Sequence, residues 1–227
     1  MLLTPGGVSF QDSRHYYQTA KRRAEEVRAK GGKAVFLNQF DNEANFQAHY
    51  SGTGPELFAQ TAGKIDGFVS GAGKGGTIAG TSAFLKERNP DVQIYLADCP
   101  GSGLKSYVER GTFEAAGSTR IQEGIGITRL TKNFERAKVD HAFLVEDDEA
   151  RAMACYLLRH EGLFVGPSAA LNVVGAVKAA RELGEGKVIA TVVCDGGDRY
   201  RGGFWHEKTC KACESCTAAS GDLAFVR

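Results

Sequence analysis

Residues 65–77 have the sequence IDGFVSGAGKGGT, a short apolar run that passes directly into a glycine-rich loop. The run Ile65–Ser70 predicts a buried strand, and the pattern of Thr77–Glu87 predicts the helix that follows it. Glycines allow successive backbone N–H groups to point at one anion, and the start of a helix adds the positive end of its dipole. Residues 71–77 are therefore predicted to bind a phosphate group.

On both sides of this loop, strand-like and helix-like segments alternate. The other predicted strands are Lys33–Phe40, Gln93–Ala97, Phe143–Val145 and Lys187–Val193. The other predicted helices are Gln11–Ala29 with Asp12 or Ser13 as its N-cap, Asn42–His49, Gly54–Thr61, Asp147–His160 and Pro167–Leu183. Gly101–Asn133 is predicted to be irregular. This alternation predicts an α/β fold with a parallel sheet covered by helices on both faces, and ligands at the carboxyl ends of its strands.

The composition is that of an ordinary globular protein, with 42% hydrophobic and 24% charged residues. The formal net charge of +1 provides no overall field that would favour nucleic acid or an anionic membrane. The longest apolar runs, such as Val188–Cys194, are too short to cross a bilayer. The first residues contain no signal-peptide pattern, so an intracellular location is expected, in the cytoplasm or, with a targeting segment upstream, in mitochondria.

The kind of phosphate ligand is left open by the loop itself. Gly71, Gly73 and Gly76 satisfy the dinucleotide fingerprint G-x-G-x-x-G, and Asp98 ends the next strand about 20 residues on, where a ribose-binding acid is expected. An NAD site is therefore one interpretation. A Walker A loop fits poorly, because Lys74 is followed by glycine instead of serine or threonine.

Four further segments, in this order and spacing around the loop, resemble motifs of a known family. They are residues 38–56 (NQFDNEANFQAHYSGTGPE), Gln122–Gly126, Glu161–Ser168 and Cys194–Tyr200. Over roughly residues 11–205 the chain resembles the cysteine synthase (O-acetylserine sulfhydrylase) and cystathionine β-synthase family of fold-type-II enzymes, which use pyridoxal 5'-phosphate (PLP). Its motifs look most like those of the eukaryotic cysteine synthase-like branch.

The resemblance implies a tryptophan synthase β-like PLP fold in which the N-terminal domain is largely missing. Residues 1–32 would be a remnant of that domain, residues 33–205 the PLP-binding domain, and residues 206–227 a frayed tail. Family members are usually homodimers, so the complete protein is expected to be one.

The family's phosphate-binding groups carry over onto the loop of this chain. Backbone N–H groups of Gly73, Gly75 and Gly76, together with the Thr77 hydroxyl, would hold the PLP phosphate. Lys74 stands where the family has threonine. Its ammonium could neutralise the phosphate as a point charge, or the side chain could extend into solvent.

The other end of the cofactor is expected to meet Gly124, in the loop beside the bound substrate, and the pair Asp195 and Gly196. The resemblance puts that pair where the family has a serine bonded to the pyridine nitrogen. Two arrangements are open: the Asp195 carboxylate promotes protonation of the ring nitrogen, or it turns away beside Arg199 and Gly196 leaves room for water.

No catalytic residue is predicted within this chain. In the family, the lysine that forms a Schiff base with PLP, and the Gly-Asn-Thr loop that holds the substrate carboxylate, lie upstream of the segment matching Asn45–Thr53. The chain is thus expected to be a truncated form that is inactive alone. The complete protein would convert O-acetylserine and sulfide to cysteine and acetate, with serine and homocysteine as alternative substrates. A non-catalytic PLP-fold binding or regulatory protein, or an NAD-dependent oxidoreductase, are the other hypotheses.

Two further features of the sequence have simple structural interpretations. His49, ahead of the phosphate loop, is interpreted as a core or interface histidine instead of a site residue. Cys210, Cys213 and Cys216 have a spacing typical of iron–sulfur ligands, but no fourth ligand is evident, so no metal is predicted.

Overall fold

The protein is described by a computed structural model over residues 2–117, 124–206 and 222–227, and within these ranges four strands form one sheet. The strands are β1 (Gly67–Ser70), β2 (Gln93–Asp98), β3 (His141–Leu144) and β4 (Ile189–Thr191). Their order across the sheet is β3-β2-β1-β4, and every neighbouring pair is parallel. The predicted parallel α/β architecture is confirmed.

The helices lie between the strands along the chain. They are α1 (Tyr16–Ala29), α2 (Glu43–Ala48), α3 (Gly54–Gln60), α4 (Gly76–Arg88), α5 (Leu104–Arg110), α6 (Asp147–Tyr156) and α7 (Pro167–Leu183). Short π-helical segments, His49–Thr53 and Leu157–Glu161, join α2 to α3 and extend α6.

The central strand β1 is buried along its whole length. Because successive side chains of a strand point to opposite faces, Val69 belongs to the hydrophobic cluster that contains Val174 of α7, while Phe68 belongs to the cluster that contains Ile78 of α4. Each face of the sheet therefore has its own hydrophobic core. This double coverage explains why the strand is a continuous apolar run in the sequence.

Two predictions near the N-terminus are wrong. Helix α1 begins at Tyr16 instead of Gln11, with His15 as its N-cap, because the side chain of Asp12 instead bonds Arg14 in a preceding turn. Residues 33–40 form no strand. Val35 and Leu37 are 80% and 73% exposed, and no neighbouring strand among the described residues offers hydrogen-bond partners to this stretch.

The segment Gly101–Asn133 is more regular than predicted, because helix α5 lies within it. The start of α5 depends on a tertiary contact: the Asp98 carboxylate, at the end of β2, accepts a hydrogen bond of 2.8 Å from the backbone N–H of Lys105. Strand β4 is shorter than predicted and covers three of the seven residues in Lys187–Val193.

The last described residues, 222–227, return to the helical layer formed by α6 and α7. Val226 is buried, and the backbone N–H of Arg227 donates to the Glu149 carboxylate of α6 at 2.7 Å. Most of the expected tail, residues 207–221, lies outside the described residues. No helix in the described part of the chain has both the length and the apolarity to cross a membrane.

Arg129 connects the N-terminal segment to the rest of the protein. Its guanidinium forms a bidentate pair with Asp41, at 2.9 and 3.2 Å, and lies 4.4 Å from the ring centre of Phe10 and 5.2 Å from that of Phe40. A planar guanidinium can form two hydrogen bonds with one carboxylate while its face lies against aromatic rings, which the compact ammonium of lysine cannot do.

We expect Arg129→Lys to lower the free energy of unfolding by about 1–2 kcal/mol, because the second hydrogen bond and the ring stacking are lost. Urea denaturation measures this. The control is Arg14→Lys, since Arg14 pairs with Asp12 but is 68% exposed, and this substitution should destabilise the protein much less than Arg129→Lys. Equal effects of the two substitutions would contradict the prediction.

Candidate active site

A cavity of about 600 Å³ opens at the carboxyl ends of β1 and β4, where the strand order predicts a ligand site. Its walls combine the glycine-rich loop, helix α2 with the π-helical segment that follows it, the start of α7 and the segment after β4. The lining residues are Asn45, His49, Thr53, residues 70–78, Gly124, Ile125, Ser168, Asn172, Val192, Cys194, Asp195, Arg199 and Tyr200.

The glycine-rich loop presents unused hydrogen-bond donors to this cavity. Within the described residues, none of the backbone N–H groups of Gly73–Thr77 donates a hydrogen bond. Helix α4 begins at Gly76, so its positive dipole end points at the same place. Orphaned N–H groups at a helix start fit a phosphate, which would accept several of them at once.

Two glycines of the loop lie where there is no room for a side chain. A Cβ atom on Gly73 would lie 2.0 Å from the carbonyl oxygen of Gly124, so these two backbones are in direct contact. Gly75, the N-cap of α4, has a φ of +86°, and its Cβ would lie 2.6 Å from Phe134. The packing thus brings Gly73 and Gly124, both predicted site residues, to one wall.

Lys74 lines the cavity, and among the described lysines it alone does so. Its carbonyl oxygen accepts a hydrogen bond of 2.8 Å from the Thr131 hydroxyl, which fixes the loop backbone at this point. The ammonium makes no ion pair within the described ranges. It is therefore available as a point charge to an anion in the loop.

His49 lies in the cavity wall, although the sequence predicts a core or interface histidine at this position. Its Nε2 is 3.2 Å from the hydroxyl of Thr77, and its Nδ1 is 2.9 Å from the hydroxyl of Thr53. Burial lowers the pKa of His49, because the charged imidazolium is poorly solvated there. The π-helical segment His49–Thr53 turns His49 toward the cavity, and no local sequence pattern predicts such a segment.

The opposite wall contains Asp195, but Gly196 is not among the lining residues and instead pairs with Val165 in an antiparallel bridge. The Asp195 carboxylate accepts a hydrogen bond of 2.6 Å from the Tyr200 hydroxyl. The partner of this carboxylate is thus Tyr200 and not Arg199. The arrangement in which Asp195 turns away to Arg199 does not occur.

The structure brings a serine to this wall from a position that the sequence analysis did not assign. Ser168, in the first turn of α7, lines the cavity and interacts with the Cys194 thiol, next to Asp195. Ser168 ends the motif Glu161–Ser168, which predicts the start of a helix but does not show that this hydroxyl faces the cavity. Cys194 is exposed as a residue, but desolvation of its thiol in the cavity wall raises its pKa, and the hydrogen bond with Ser168 acts in the opposite direction.

Asn172, one turn further along α7, ties the cavity walls together. Its Oδ1 accepts a 2.6 Å hydrogen bond from the N–H of Gly71, and its Nδ2 donates at 2.8 Å to the carbonyl of Val192. The residue is 1% exposed. One buried amide thus joins the end of β1 to the end of β4.

Asp98, the residue that an NAD site would require, is not in the cavity. Its side chain is completely buried and is bonded to the backbone of Lys105, and burial raises the pKa of its carboxyl. It therefore acts at the start of α5 and cannot reach a ribose in the loop, which removes the residue support for the dinucleotide interpretation.

Some of the sequence-based predictions lie outside the described residues. These are Gln122 and Glu123 of the glycine loop and the cysteines Cys210, Cys213 and Cys216. Within the ranges that are described, no group of three or more His, Cys, Asp or Glu side chains is arranged to hold a metal ion.

Comparison with known proteins gives consistent results. The chain is 46% identical over 85% of its length to a cysteine synthase of Dictyostelium discoideum, and 43% identical over 95% to cysteine synthase 2 of Schizosaccharomyces pombe. It covers 52% and 58% of those relatives, so it spans about half of their length.

A solved structure with the same fold is the O-acetylserine-dependent cystathionine β-synthase of Helicobacter pylori. The TM-score is 0.72 at 30% sequence identity, and the match covers 86% of this chain and 61% of the other. Residues 7–195 match the family model described as pyridoxal-phosphate-dependent enzyme. With its parallel sheet, its phosphate-type loop and these relatives, the chain belongs to the PLP-dependent enzyme family.

Proposed function

We propose that this chain forms the cofactor-binding part of a cysteine synthase, which replaces the acetate of O-acetylserine by sulfide and releases cysteine. The observation that carries the proposal is the row of unbonded N–H groups at Gly73–Thr77, facing a cavity whose far wall holds Ser168 and Asp195. The names of the 46% and 43% identical relatives support cysteine synthesis as the reaction.

In this proposal the chain binds PLP at two ends. The N–H groups of Gly73–Thr77 and the Thr77 hydroxyl hold the phosphate, and the Lys74 ammonium adds positive charge. Gly124 closes one side of the site. When bound, PLP supplies an electron-withdrawing ring that weakens the bonds at the α and β carbons of an amino-acid substrate.

The far wall would meet the pyridine ring. We assign Ser168 to the ring nitrogen, because a hydroxyl can donate to that nitrogen without protonating it. The Asp195 carboxylate accepts a hydrogen bond of 2.6 Å from the Tyr200 hydroxyl, so its role is to shape the wall beside Ser168. Gly196, next to it but outside the lining, would act only through the position of Asp195.

Lys74 belongs to the phosphate end of the cavity and is not expected to form the Schiff base with the cofactor's aldehyde carbon. The 227-residue chain is therefore expected to bind PLP reversibly and to form no cysteine at a measurable rate. A PLP-fold protein that binds without catalysis would behave in the same way. The homodimer, the division at residues 32 and 205, and a cytoplasmic or mitochondrial location stay predictions.

Titration calorimetry on the purified chain tests the proposed site. We expect saturable binding of PLP, competition by inorganic phosphate, and at least about tenfold weaker binding of pyridoxal, which lacks the phosphate and its charge-assisted hydrogen bonds. Equal affinity for PLP and pyridoxal would show that the loop is not the phosphate site.

Borohydride reduction and peptide mapping test the role given to Lys74. The expected result is no stoichiometric PLP adduct at any lysine, together with no cysteine from O-acetylserine and sulfide. An adduct at Lys74 with cysteine formation would overturn the assignment of this lysine to the phosphate end. Homocysteine in place of sulfide, tested in parallel, reports on the alternative acceptor.

A further inference from the structure

The cavity contains a hydrogen-bonded chain of three side chains that the proposed function does not by itself require. The hydroxyl of Thr53, the imidazole of His49 and the hydroxyl of Thr77 lie in sequence, at 2.9 and 3.2 Å, and all three residues line the cavity. Both ring nitrogens of His49 are thus engaged by hydroxyl groups. This series of hydrogen bonds ends at Thr77, in the first turn of α4, beside the unbonded N–H groups of the loop.

The geometry restricts how protons can be arranged along these three hydrogen-bonded side chains. Because burial disfavours the charged imidazolium, the neutral ring has one N–H donor and one acceptor nitrogen. In one arrangement Thr53 donates to Nδ1 and Nε2–H donates to Thr77. In the other, Nδ1–H donates to Thr53 and the Thr77 hydroxyl donates to Nε2.

Only the first arrangement leaves the Thr77 proton free for an anion in the loop. We propose that His49 is a positioning residue: its Nε2–H donates to Thr77, and Thr53 donates to Nδ1, so that the Thr77 hydroxyl points its proton at the bound phosphate. This inference rests on the proposed phosphate site and adds the side chains that orient its one hydroxyl donor.

The position of His49 is itself held by its surroundings. His49 and Thr53 are four residues apart in sequence, and the π-helical segment puts them on the same side of the helix. The imidazole can therefore contact the hydroxyls of both Thr53 and Thr77. Single π-turns inside helices are frequent at functional sites. The imidazole is half-buried, so water competes weakly for its nitrogens.

The test compares the affinity of the purified chain for inorganic phosphate and for PLP among four variants. His49→Leu removes the Thr53–His49–Thr77 relay, the series of hydrogen bonds described above. It should weaken binding about fivefold, which corresponds to the loss of one well-placed hydrogen bond. His49→Gln should restore most of the affinity, because an amide can accept from Thr53 and donate to Thr77. Thr77→Val should weaken binding about tenfold, and His49→Leu with Thr77→Val should be no weaker than Thr77→Val alone.

Two controls separate this mechanism from a merely structural role. His141→Leu removes an exposed histidine of β3 that contacts Gln93, and should leave the affinity unchanged. The ¹⁵N spectrum of the wild-type chain should show the proton on Nε2 of His49 when phosphate is added.

The outcomes distinguish the two proposals. If the wild-type chain binds neither phosphate nor PLP, the proposed site is wrong and the relay falls with it. If it binds them but His49→Leu has no effect, if the effects of His49→Leu and Thr77→Val add in full, or if the proton lies on Nδ1, the relay alone is overturned.

Discussion

Replacing Gly75 by alanine is expected to weaken the binding of PLP and of inorganic phosphate by about 100-fold. Gly75 is the N-cap of α4 and has a φ of +86°, a conformation that costs an L-residue about 1–2 kcal/mol. A methyl group there would also lie 2.6–2.7 Å from the backbone and Cβ of Phe134. Phe134 is buried and cannot retreat, so the loop must move.

Movement of the loop matters because the proposed binding energy comes from several N–H groups aimed at one point. A shift that misdirects one of them removes about 1.5–3 kcal/mol, because the hydrogen bond is charge-assisted, and a 100-fold loss corresponds to about 2.8 kcal/mol. Calorimetry with PLP and with phosphate gives the affinity, and thermal unfolding shows whether the variant is folded.

The matched control is Gly202→Ala. Gly202 has open space around its Cα and no positive φ, so this substitution should leave the affinity and the melting temperature within error. Thr77→Val, which leaves the backbone unchanged, should give the smaller loss stated above. Wild-type affinity in a folded Gly75→Ala variant would show that the phosphate does not depend on this loop conformation.

Replacing Asn172 by leucine is expected to lower the free energy of unfolding by about 3 kcal/mol, and to weaken phosphate binding as well. Leucine has nearly the same size, but it leaves the partly buried N–H of Gly71 and carbonyl of Val192 without their partners. Each unsatisfied buried group costs about 1–3 kcal/mol. Because Gly71 begins the phosphate loop, its release should also loosen the loop.

The control for Asn172 is Gln93→Leu. The Gln93 amide also makes two contacts, a 2.8 Å bond to the carbonyl of Asp91 and a 3.2 Å contact with His141, but both are near the surface. Water can replace them, so the loss should stay below about 1 kcal/mol. Urea denaturation of both variants decides the comparison, and equal losses would mean that the Asn172 bonds have no special weight.

The sequence alone was sufficient to predict the central parallel sheet. The run ending at Ser70, the glycines after it and the long helix Pro167–Leu183 are local patterns, and each was predicted with the right type and place. It failed at Lys33–Phe40, because an alternating pattern has no meaning as a strand without a neighbouring strand to bond. It also missed α5, whose start depends on the Asp98 carboxylate from a different element.

The candidate site divides along the same line. The phosphate-type loop was evident from sequence because glycine conformation and a helix start are properties of consecutive residues. The positions of Ser168, Asn172 and His49 were decided only by tertiary structure, since α7 and the π-helical turn bring them to the loop from up to 101 residues away. Side chains that meet across such distances leave no local pattern, so only the packed sheet and its helices determine which of them face the cavity.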